Sequence, residues 1–240
     1  MQLIILSAGK GSRLPVKFRD KPKCLVALNS RPLLSYNENF FKNFKKKMIV
    51  CGYKQRHLDK ISEENNLIKI LNKKYSSTNM VYSLFLTKDL IKEDVVIVYG
   101  DVIFDHKIYY LLKQKKNILP VNVNWLKNWR KRMQFKNILI DAENLIVHKN
   151  EVTEIGGKLN IKKLPTYQFM GIIKLKKNTF KKCYKYFKKL NNKKIDMTSF
   201  LNLCIKNNIL KLSVKKYKSF WYEIDTKSDH MFAEKDMKKW

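Results

Sequence analysis

The sequence predicts an α/β protein whose mostly parallel central sheet is covered by helices on both faces. Short apolar runs alternate with segments of helical periodicity through the first half of the chain, which is the pattern of strands joined by crossover helices. The run VVIVY has no polar side, so its strand should be buried on both faces. The predicted strands are 2–6, 48–53, 67–71, 95–101 and 118–123, and the predicted helices are 33–44, 57–64, 80–90 and 107–115.

The second half of the chain shows a different order of predicted strands and helices. The stretch LIVHKNEVTEIGGK (145–158) predicts a β-hairpin that turns at Lys149 and Asn150, and Thr226 is a candidate N-cap for a closing helix. Because no linker, internal repeat or domain boundary is visible, we predict a single domain, 1–240, with 122–170 as an insertion. The other predicted strands are 167–175, 210–214 and 219–225, and the helices are 178–190, 197–208 and 226–239.

The chain carries far more positive charge than folding requires. It has 240 residues, of which 45% are hydrophobic, as in a globular protein, and its net charge is +31. A charge of this sign favours polyanionic partners such as nucleic acid, a membrane surface or a polyphosphate substrate. The lysines are scattered along the chain, however, so a solvated basic surface without any partner is the competing interpretation, and charge alone does not decide between them.

The cysteines and the apolar runs indicate the cellular location of the protein. Cys24, Cys51, Cys183 and Cys204 form no CxxC pair, and the histidines are isolated from them, which argues against a zinc site. Reduced, buried thiols are the expected state. The opening run QLIIL is too short for a signal peptide, and no run approaches the length of a membrane span. We therefore expect a soluble, cytoplasmic protein.

The loop SAGKGSRLPVKFRDKPK (7–23) follows the first predicted strand and combines glycines with cations. Gly9 and Gly11 would let backbone N–H groups approach an anion at the edge of the sheet. Arg13 adds a planar fork for phosphate oxygens, and Lys23 adds a mobile point charge. The spacing matches neither GxGxxG nor the P-loop. The loop therefore predicts a phosphate site of another kind, with a tight turn and two surface cations as the alternative.

Acidic residues end two of the predicted strands. Asp101 follows Gly100 at the end of VVIVYGD, and Asp225 ends SFWYEID. Glu223 precedes Asp225 by two residues, so both side chains should point to the same side of the strand. Each acid taken alone is explained as well by a helix cap or a surface position. Together, beside a phosphate-binding loop, Asp101 and Asp225 predict a Mg²⁺ site.

These motifs resemble a known enzyme family along nearly the whole chain. The pattern L-SAG-GSR-L with Pro22-Lys23, the YGD at 99–101 and the EIDT at 223–226 resemble the signature of nucleotidyltransferases that activate sugar phosphates and related phosphorylated compounds. The resemblance is closest to the phosphocholine cytidylyltransferase-like branch, part of which acts on aminoethylphosphonate or phosphorylated glutamine in surface polysaccharide biosynthesis. Further blocks that resemble this branch are 76–84, 124–132, 141–145, 167–175, 197–201 and 221–225.

The loop departs from the family pattern at three positions. Pro15 stands one position early, Phe18 replaces a threonine, and Ser7 replaces the usual leading alanine. The distance from Arg13 to Lys23 is unchanged, so both cations can keep their places. The departures affect the expected closed shape of the loop, and a non-catalytic member of the fold is therefore one alternative.

The resemblance implies a Rossmann-like nucleotidyltransferase fold and a Mg²⁺-dependent transfer of CMP from CTP. A phosphate oxygen of the acceptor attacks the α-phosphorus in line and pyrophosphate leaves, so no general base is required. The implied catalytic residues are Arg13, Lys23, Asp101 and Asp225. The implied nucleotide-binding residues are Leu6, Ala8, Gly9, Gly11, Ser12, Arg13, Lys23, Asn79, Ser83 and Gly100. The implied acceptor-binding residues are Asp141, Glu143, Tyr167, Trp221 and Glu223.

The acceptor is expected to be a small zwitterion such as phosphocholine, aminoethylphosphonate or phosphoglutamine. Asp141 and Glu143 are close acids in a basic chain and could receive an ammonium group, although a surface turn explains them equally well. Trp125, Trp129, Tyr167 and Trp221 could form a cation–π cage, although core packing is the more usual role of such aromatic residues. Asn79 could read cytosine, with helix capping as the alternative.

Two other functions remain open from the sequence. A sugar-1-phosphate nucleotidyltransferase that uses UTP, dTTP or GTP would share most of these motifs. A nucleic-acid-binding module would explain the charge and the basic aromatic stretch WLKNWRKR (125–132), but it would leave the phosphate loop and the paired acids without a role. The sequence leaves the formation of a homodimer open.

Overall fold

The first strand shows why the sheet is covered on both faces. In β1 (Gln2–Ser7), Ile4 and Leu6 enter one hydrophobic core, whereas Leu3 and Ile5 enter another. Successive side chains of a strand point to opposite faces, so a strand that is apolar at every position needs a core on each side. The predicted two-sided burial is therefore confirmed.

The structure, a computed structural model, describes residues 1–159 and 164–237, and these residues form strands and helices in alternation. After β1, the strands are β2 (Ala27–Leu28), β3 (Arg31–Pro32), β4 (Lys47–Cys51), β5 (Leu67–Leu71), β6 (Val95–Tyr99), β7 (Val102–Phe104), β8 (Ile118–Asn122), β9 (Leu145–His148), β10 (Glu151–Ile155), β11 (Gln168–Phe169), β12 (Ile172–Leu175), β13 (Ser213–Tyr217) and β14 (Trp221–Glu223). The helices are α1 (Glu38–Phe41), α2 (Asp59–Glu64), α3 (Met80–Phe85), α4 (Ile108–Leu112), α5 (Trp125–Trp129), α6 (Phe135–Asp141), α7 (Lys177–Leu190), α8 (Met197–Lys206) and α9 (Lys227–Met237).

The central sheet has the order β5-β4-β1-β6-β12-β8-β13-β10-β9, and β11 pairs with β8. The strands β5, β4, β1 and β6 are parallel to one another, and β8 and β13 run in the same direction as they do. Strand β12 runs against its neighbours β6 and β8, and the short strand β11 also runs against β8. The carboxyl ends of β1 and β6 therefore lie at one edge, where open α/β sheets bind ligands. The mostly parallel α/β fold is as predicted.

Helices pack on each face of the sheet. The side of Ile4 is covered by α3, α7 and α8, where Phe85 lies within aromatic contact distance of Phe180, Phe187 and Phe200. The opposite side is covered mainly by α1, α2, α4 and α5, which place their apolar residues in the second core. The longest helix, α7, buries Phe180, Cys183 and Phe187 and exposes most of its lysines, as the periodicity of the sequence indicates.

The structure corrects three of the predicted strands. The predicted strand 167–175 is broken at Gly171, whose φ of +70° and close approach to the Tyr99 ring separate β11 from β12. The predicted strand 210–214 is shifted, because Leu210 and Leu212 are buried in the connection after α8 and pairing begins only at Ser213. The predicted strand 219–225 shortens to β14, which pairs with β7 outside the central sheet.

The predicted hairpin and closing helix are present. Strands β9 and β10 are antiparallel, and β10 joins the central sheet beside β13. Thr226 caps α9, because its hydroxyl accepts a hydrogen bond from the Asp229 N–H at 3.3 Å. Residues 238 and 239 of the predicted helix and residues 160–163 of the predicted insertion lie outside the described residues.

The four cysteines are free and buried, Cys24 and Cys51 in one hydrophobic core and Cys183 and Cys204 in the other. Cys51 lies in β4, Cys183 lies in α7 and Cys204 lies in α8, while Cys24 lies in the turn that carries Lys23. Burial raises the pKa of the Cys24 thiol to about 12. Within residues 1–159 and 164–237, every helix is too short or too polar to span a bilayer.

Candidate active site

The glycine loop leaves β1 at the carboxyl edge of the sheet. A Cβ atom added at Gly9 would meet no other atom within 4 Å, so the backbone there faces open space. Gly11 has a φ of +64° and lies against the side chain of Lys23, with an added Cβ only 3.0 Å from the Lys23 Cβ. The first glycine therefore leaves room for a ligand, and the second allows the turn that brings the loop back onto Lys23.

Arg19 holds the loop in shape, and the sequence analysis missed this residue. Its guanidinium donates hydrogen bonds to the Leu14 carbonyl at 2.8 Å and to the Ser12 carbonyl at 2.5 Å. Its own carbonyl accepts a hydrogen bond from the Tyr53 hydroxyl at 2.8 Å. Two of these bonds therefore hold the loop in shape, and the third joins it to Tyr53 after β4.

The unusual residues of the loop are accommodated by packing. Pro15 is the N-cap residue of a short 3₁₀ turn, Val16–Phe18, with a φ of −53° that suits the proline ring. The Phe18 ring lies 4.8 Å from the ring of His230 on α9. The replacement of a threonine by Phe18 thus adds an aromatic contact between the loop and the closing helix.

Two cations and two carboxylates meet at the ends of the strands. The Lys23 ammonium lies 2.5 Å from Asp101 Oδ2 and also contacts Asp225 Oδ1. The Arg13 guanidinium lies 2.8 Å from Asp225 Oδ2 and 3.3 Å from Asp141 Oδ1. Burial alone would lower the pKa of Lys23, but Asp101 and Asp225 together raise it, so the lysine stays charged. The structure therefore brings the predicted catalytic residues Arg13, Lys23, Asp101 and Asp225 into one cluster.

The two aspartates have the chemistry of a divalent-cation site. One oxygen of each carboxylate converges on the Lys23 ammonium, a cation that stands where a metal could bind both groups. Asp101 Oδ1 is buried, and it has no hydrogen-bond partner among residues 1–159 and 164–237. The described part of the chain contains no cluster of three or more acidic, histidine or cysteine metal ligands. Mg²⁺ would therefore need waters and substrate phosphates as its other ligands, which is its usual arrangement.

A cavity of about 360 Å³ opens in front of the glycine loop. Tyr75, Thr78 and Tyr99 also form its wall, although the sequence analysis did not select them. The block 76–84 pointed to this region, but it gave no reason to choose Thr78. Every predicted nucleotide-binding residue lines this cavity: Leu6, Ala8, Gly9, Gly11, Ser12, Arg13, Lys23, Asn79, Ser83 and Gly100.

The polar groups of Asn79 and Ser83 already have partners. Asn79 caps α3, since its Oδ1 accepts from the Met80 N–H at 2.7 Å, and its Nδ2 donates to the Lys194 carbonyl at 3.2 Å. Ser83 Oγ accepts a hydrogen bond from Asn72 at 2.9 Å. The capping alternative for Asn79 is thus observed, and the reading of a base by this amide stays a prediction.

A second cavity, of about 170 Å³, adjoins the first and shares Arg13 and Asp225 with it. Asp196 was missed by the sequence analysis; it is the N-cap of α8 and accepts a hydrogen bond from the Ser199 N–H at 2.8 Å. A helix cap directly before the apolar run MTSFL was the available signal. The carboxylates that line this cavity are Asp141, Glu143, Asp196, Glu223 and Asp225.

The second cavity is short of positive charge. Burial, followed by the nearby Asp225 and Asp101, raises the pKa of Glu223 well above its ordinary value. Burial is also the main cause of the raised pKa values of Asp141 and Glu143. Arg13 is the one cation in the lining that the described residues provide. A cationic ligand would relieve the repulsion among these carboxylates.

Two predicted acceptor residues lie outside this cavity. Tyr167 lines a separate cavity near Lys149, and the ammonium of Lys216 lies 5.4 Å from the centre of its ring. Trp221 is buried and stacks on Trp129 at 6.0 Å between ring centres, so its ring face is used in packing. The structure therefore brings Asp141, Glu143 and Glu223 together but leaves Tyr167 and Trp221 apart from them.

The predicted aromatic cage is not assembled around the second cavity. Of its four proposed members, Trp129 alone lines this cavity within the described residues. Its ring also carries the Arg132 guanidinium at 4.6 Å from the ring centre. Trp125 is buried and donates its ring N–H to the Pro165 carbonyl at 3.2 Å. Core packing therefore accounts for most of these rings.

Comparisons with known proteins agree with this geometry. The model of the nucleotidyl transferase family matches residues 2–239. A Campylobacter jejuni protein named CTP:phosphoglutamine cytidylyltransferase is 31% identical over 95% of this chain and 97% of its own length. The fold is similar to that of a CTP:phosphocholine cytidylyltransferase from Streptococcus pneumoniae, with a TM-score of 0.74, 21% identity and coverage of 98% of both chains. It is also similar to an inositol-1-phosphate CTP transferase from T. maritima, with a TM-score of 0.79, 19% identity and coverage of 98% and 94%.

The loop, the strand-end aspartates and the similarity along the full chain lead to the same assignment. The expected Rossmann-like nucleotidyltransferase fold is confirmed by the structural neighbours, and the resemblance to cytidylyltransferases is confirmed by the relative with 31% identity. The chain therefore belongs to the nucleotidyl transferase family and is a nucleotidyltransferase.

Proposed function

We propose that this enzyme transfers CMP from CTP to a small phosphorylated acceptor that carries an ammonium group, and that it releases pyrophosphate. The observation that carries the proposal is the acid-lined second cavity, which adjoins the nucleotide cavity and shares Arg13 and Asp225 with it. Phosphocholine, aminoethylphosphonate and phosphoglutamine all combine a phosphoryl group with a positively charged nitrogen. Two relatives with cytidylyltransferase names support the choice of CTP.

The nucleotide would bind with its phosphates on the glycine loop, where Gly9 leaves the backbone open. Arg13 would bind the departing pyrophosphate, because a guanidinium pairs with two phosphate oxygens at once. Lys23 would neutralise charge at the α-phosphate as the transition state forms. Asp101 and Asp225 would hold Mg²⁺, which supplies charge neutralisation and orientation of the phosphates when bound.

The acceptor would place its ammonium among Asp141, Glu143 and Glu223 and direct its phosphoryl group towards Arg13 and Lys23. The phosphoryl or phosphonyl oxygens of these acceptors are ionised near neutral pH and are already nucleophilic, so no side chain needs to remove a proton. The chemistry then depends on holding two anionic groups close together, which the cations of the cluster make favourable.

A pyrophosphate-release assay tests the function. Phosphocholine, aminoethylphosphonate, phosphoglutamine and hexose 1-phosphates are each combined with CTP, UTP, dTTP, ATP and GTP in the presence of Mg²⁺. We expect the highest kcat/KM for CTP with one of the three zwitterions. A preference for a hexose 1-phosphate with UTP or dTTP would contradict the proposed acceptor. No release with any pair would contradict the proposed activity and favour a binding role.

A further inference from the structure

The backbone that carries Asp225 is held by the side chain of Asp229. Asp229 Oδ2 accepts hydrogen bonds from the Asp225 N–H at 3.0 Å and from the Thr226 N–H at 2.8 Å. In return, the Asp229 N–H donates to the Thr226 hydroxyl at 3.3 Å. This is the reciprocal pattern of a helix capping box, extended by one further bond to Asp225. The start of α9 therefore fixes the backbone of a residue in the catalytic cluster.

Arg132 binds the other oxygen of the same carboxylate. Its Nη1 contacts Asp229 Oδ1, and both side chains are buried, with 6% and 1% of their surfaces exposed. The second, acid-lined cavity is called the acceptor cavity from here on, after its proposed role. Arg132 follows α5, so this ion pair joins the segment beside the acceptor cavity to helix α9, which follows Asp225. The Arg132 guanidinium also lies over the ring of Trp129, which forms part of the wall of the acceptor cavity.

We propose that Arg132 and Asp229 are positioning residues that set the orientation of Asp225, an inference that rests on the proposed function. Neither residue lines the nucleotide cavity. Their effect passes through the hydrogen bonds from the Asp225 and Thr226 backbone to Asp229. The expected role is that of the residues behind a metal ligand, which orient it without touching the metal.

The geometry explains why the orientation of Asp225 matters. Its two oxygens face different partners, since Oδ1 contacts Lys23 and Oδ2 lies 2.8 Å from Arg13. A small rotation would remove one oxygen from the point shared with Asp101 and the other from Arg13. A capping carboxylate alone can swing around its Cα–Cβ bond, whereas Arg132 binds Oδ1 and thereby keeps Oδ2 on the backbone N–H groups.

The ion pair also contacts the backbone of two residues that line the cavities, Glu223 and Asp225. Arg132 Nη1 is 3.5 Å from the Glu223 carbonyl, so the same guanidinium contacts the strand that presents Glu223 to the acceptor cavity. A single buried side chain therefore supports the acceptor wall at Trp129 and the nucleotide side at Asp225.

Mutation of the Arg132–Asp229 ion pair should weaken the binding of the divalent cation more than the binding of CTP. With Arg132→Met, we expect the Mg²⁺ concentration for half-maximal pyrophosphate release to rise about tenfold. Mn²⁺ binding to the enzyme with CTP but without acceptor, followed by electron paramagnetic resonance, should weaken similarly, while the KM for CTP changes less. Arg132→Lys, which keeps the charge, should recover part of both effects.

Lys174→Met is the matched control. Lys174 is also a buried cation, 2% exposed, and lies 3.4 Å from Asp94 at the opposite end of β6. This variant should lower the melting temperature but leave the Mn²⁺ affinity unchanged. Equal Mn²⁺ affinities for Arg132→Met and Lys174→Met would overturn the positioning role. A wild type that releases no pyrophosphate but binds Mn²⁺ with CTP would instead contradict the proposed function.

A double variant separates positioning from simple stability. Replacement of both members of a buried ion pair by apolar residues removes the cost of a buried charge without its partner, so Arg132→Met/Asp229→Leu should regain part of the melting temperature lost in Arg132→Met. The Mn²⁺ affinity should stay low, because leucine cannot accept the hydrogen bonds from the Asp225 and Thr226 backbone. Recovery of both properties together would show that the pair serves stability alone.

Discussion

The two cavities meet at Arg13 and Asp225, yet they are assembled in different ways. Much of the nucleotide cavity comes from the loop between Leu6 and Cys24, with additions from the segment Tyr75 to Ser83 and from the ends of two strands. The acceptor cavity takes its residues from elements spread along the chain, among them α3, α5, α6, β6, β11, the start of α8 and the end of β14. A local sequence motif therefore builds the first site, whereas the tertiary fold builds the second.

The cavities also differ in charge. The lining of the nucleotide cavity includes Lys10, Arg13 and Lys23, which suits a polyphosphate. Next to it, the acceptor cavity gathers carboxylates in a protein whose net charge is +31. The local charge of a site is thus independent of the net charge of the chain, and the predictions below test this contrast.

The largest effect is expected from Asp225→Asn, because Asp225 belongs to both cavities. Loss of its charge removes a proposed metal ligand and the partner of Arg13, so kcat should fall by about 100-fold. Asp101→Asn should have a similar effect on kcat. Both variants should keep the circular dichroism spectrum of the wild type. Asp89→Asn, at an exposed ion pair, is the control that should change nothing. Full activity of either variant at limiting Mg²⁺ would contradict the assignment.

Glu143→Gln should affect the acceptor cavity alone. In the wild type, Glu143 Oε1 accepts a hydrogen bond from the Thr198 hydroxyl at 2.7 Å. The glutamine keeps an oxygen that can accept this bond, but it removes the negative charge. We expect the KM for a zwitterionic acceptor to rise about tenfold, while the KM for CTP stays within experimental error. Glu154→Gln is the matched control, since this glutamate also accepts a side-chain hydrogen bond, from Asn144, and lines neither cavity. An unchanged acceptor KM would make Glu143 a structural residue only.

Gly9→Ala and Gly100→Ala should separate binding from stability within the nucleotide cavity. A methyl group at Gly9 meets no atom and projects into open space, so it should raise the KM for CTP a few-fold and leave the melting temperature unchanged. At Gly100 the new Cβ would lie 2.8 Å from Ser7 Oγ, and this overpacking should cost about 1–3 kcal/mol of stability. Steady-state kinetics and thermal denaturation of both variants measure the difference. A stability loss at Gly9 would contradict the open backbone.

The smallest effect concerns the pH dependence of stability. The raised pKa of Glu223 means that the folded protein keeps a proton which the unfolded chain releases at the ordinary glutamate pKa. The free energy of unfolding should therefore fall as the pH rises above that ordinary value, until Glu223 itself ionises. Urea unfolding at about pH 5 and about pH 8 should show a smaller loss in Glu223→Gln than in the wild type. An identical loss in both proteins would show that Glu223 is not the cause.

The sequence predicted the strands well where a short apolar run also pairs with a neighbouring strand along its whole length. The run LIKIL was predicted as 67–71, and β5 has these bounds. Prediction was poorer where apolar residues are buried without pairing, as at Leu210 and Leu212. The insertion of β12 between β6 and β8 could not be predicted, because it pairs Ile172 with Val98 and Lys174 with Ile118, residues that lie far apart in the chain.

Prediction of the candidate site was likewise good for short local motifs and poor for residues brought together by the tertiary fold. The glycine loop and the strand ends are short motifs, so the members of the proposed catalytic cluster could be predicted from the sequence. Arg19 was missed because its role depends on contacts that form only when the loop folds against Tyr53. Asp196 was missed although its position directly before the helical run MTSFL was a visible capping signal. Tyr167 and Trp221 were selected for their aromatic character, which cannot distinguish a ligand-binding ring from a packed one.

The four buried thiols give the protein a built-in set of probes for motion. A thiol reagent can reach these side chains only when the surrounding structure opens, so each modification rate reports the free energy of one opening event. Cys183 and Cys204 would report the separation of α7 from α8, and Cys51 would report the opening of the central sheet. Cys24 lines the nucleotide cavity, so a bound nucleotide would slow its modification in proportion to its affinity. The modification rates of the four native cysteines therefore measure local opening in both cores and at the nucleotide cavity.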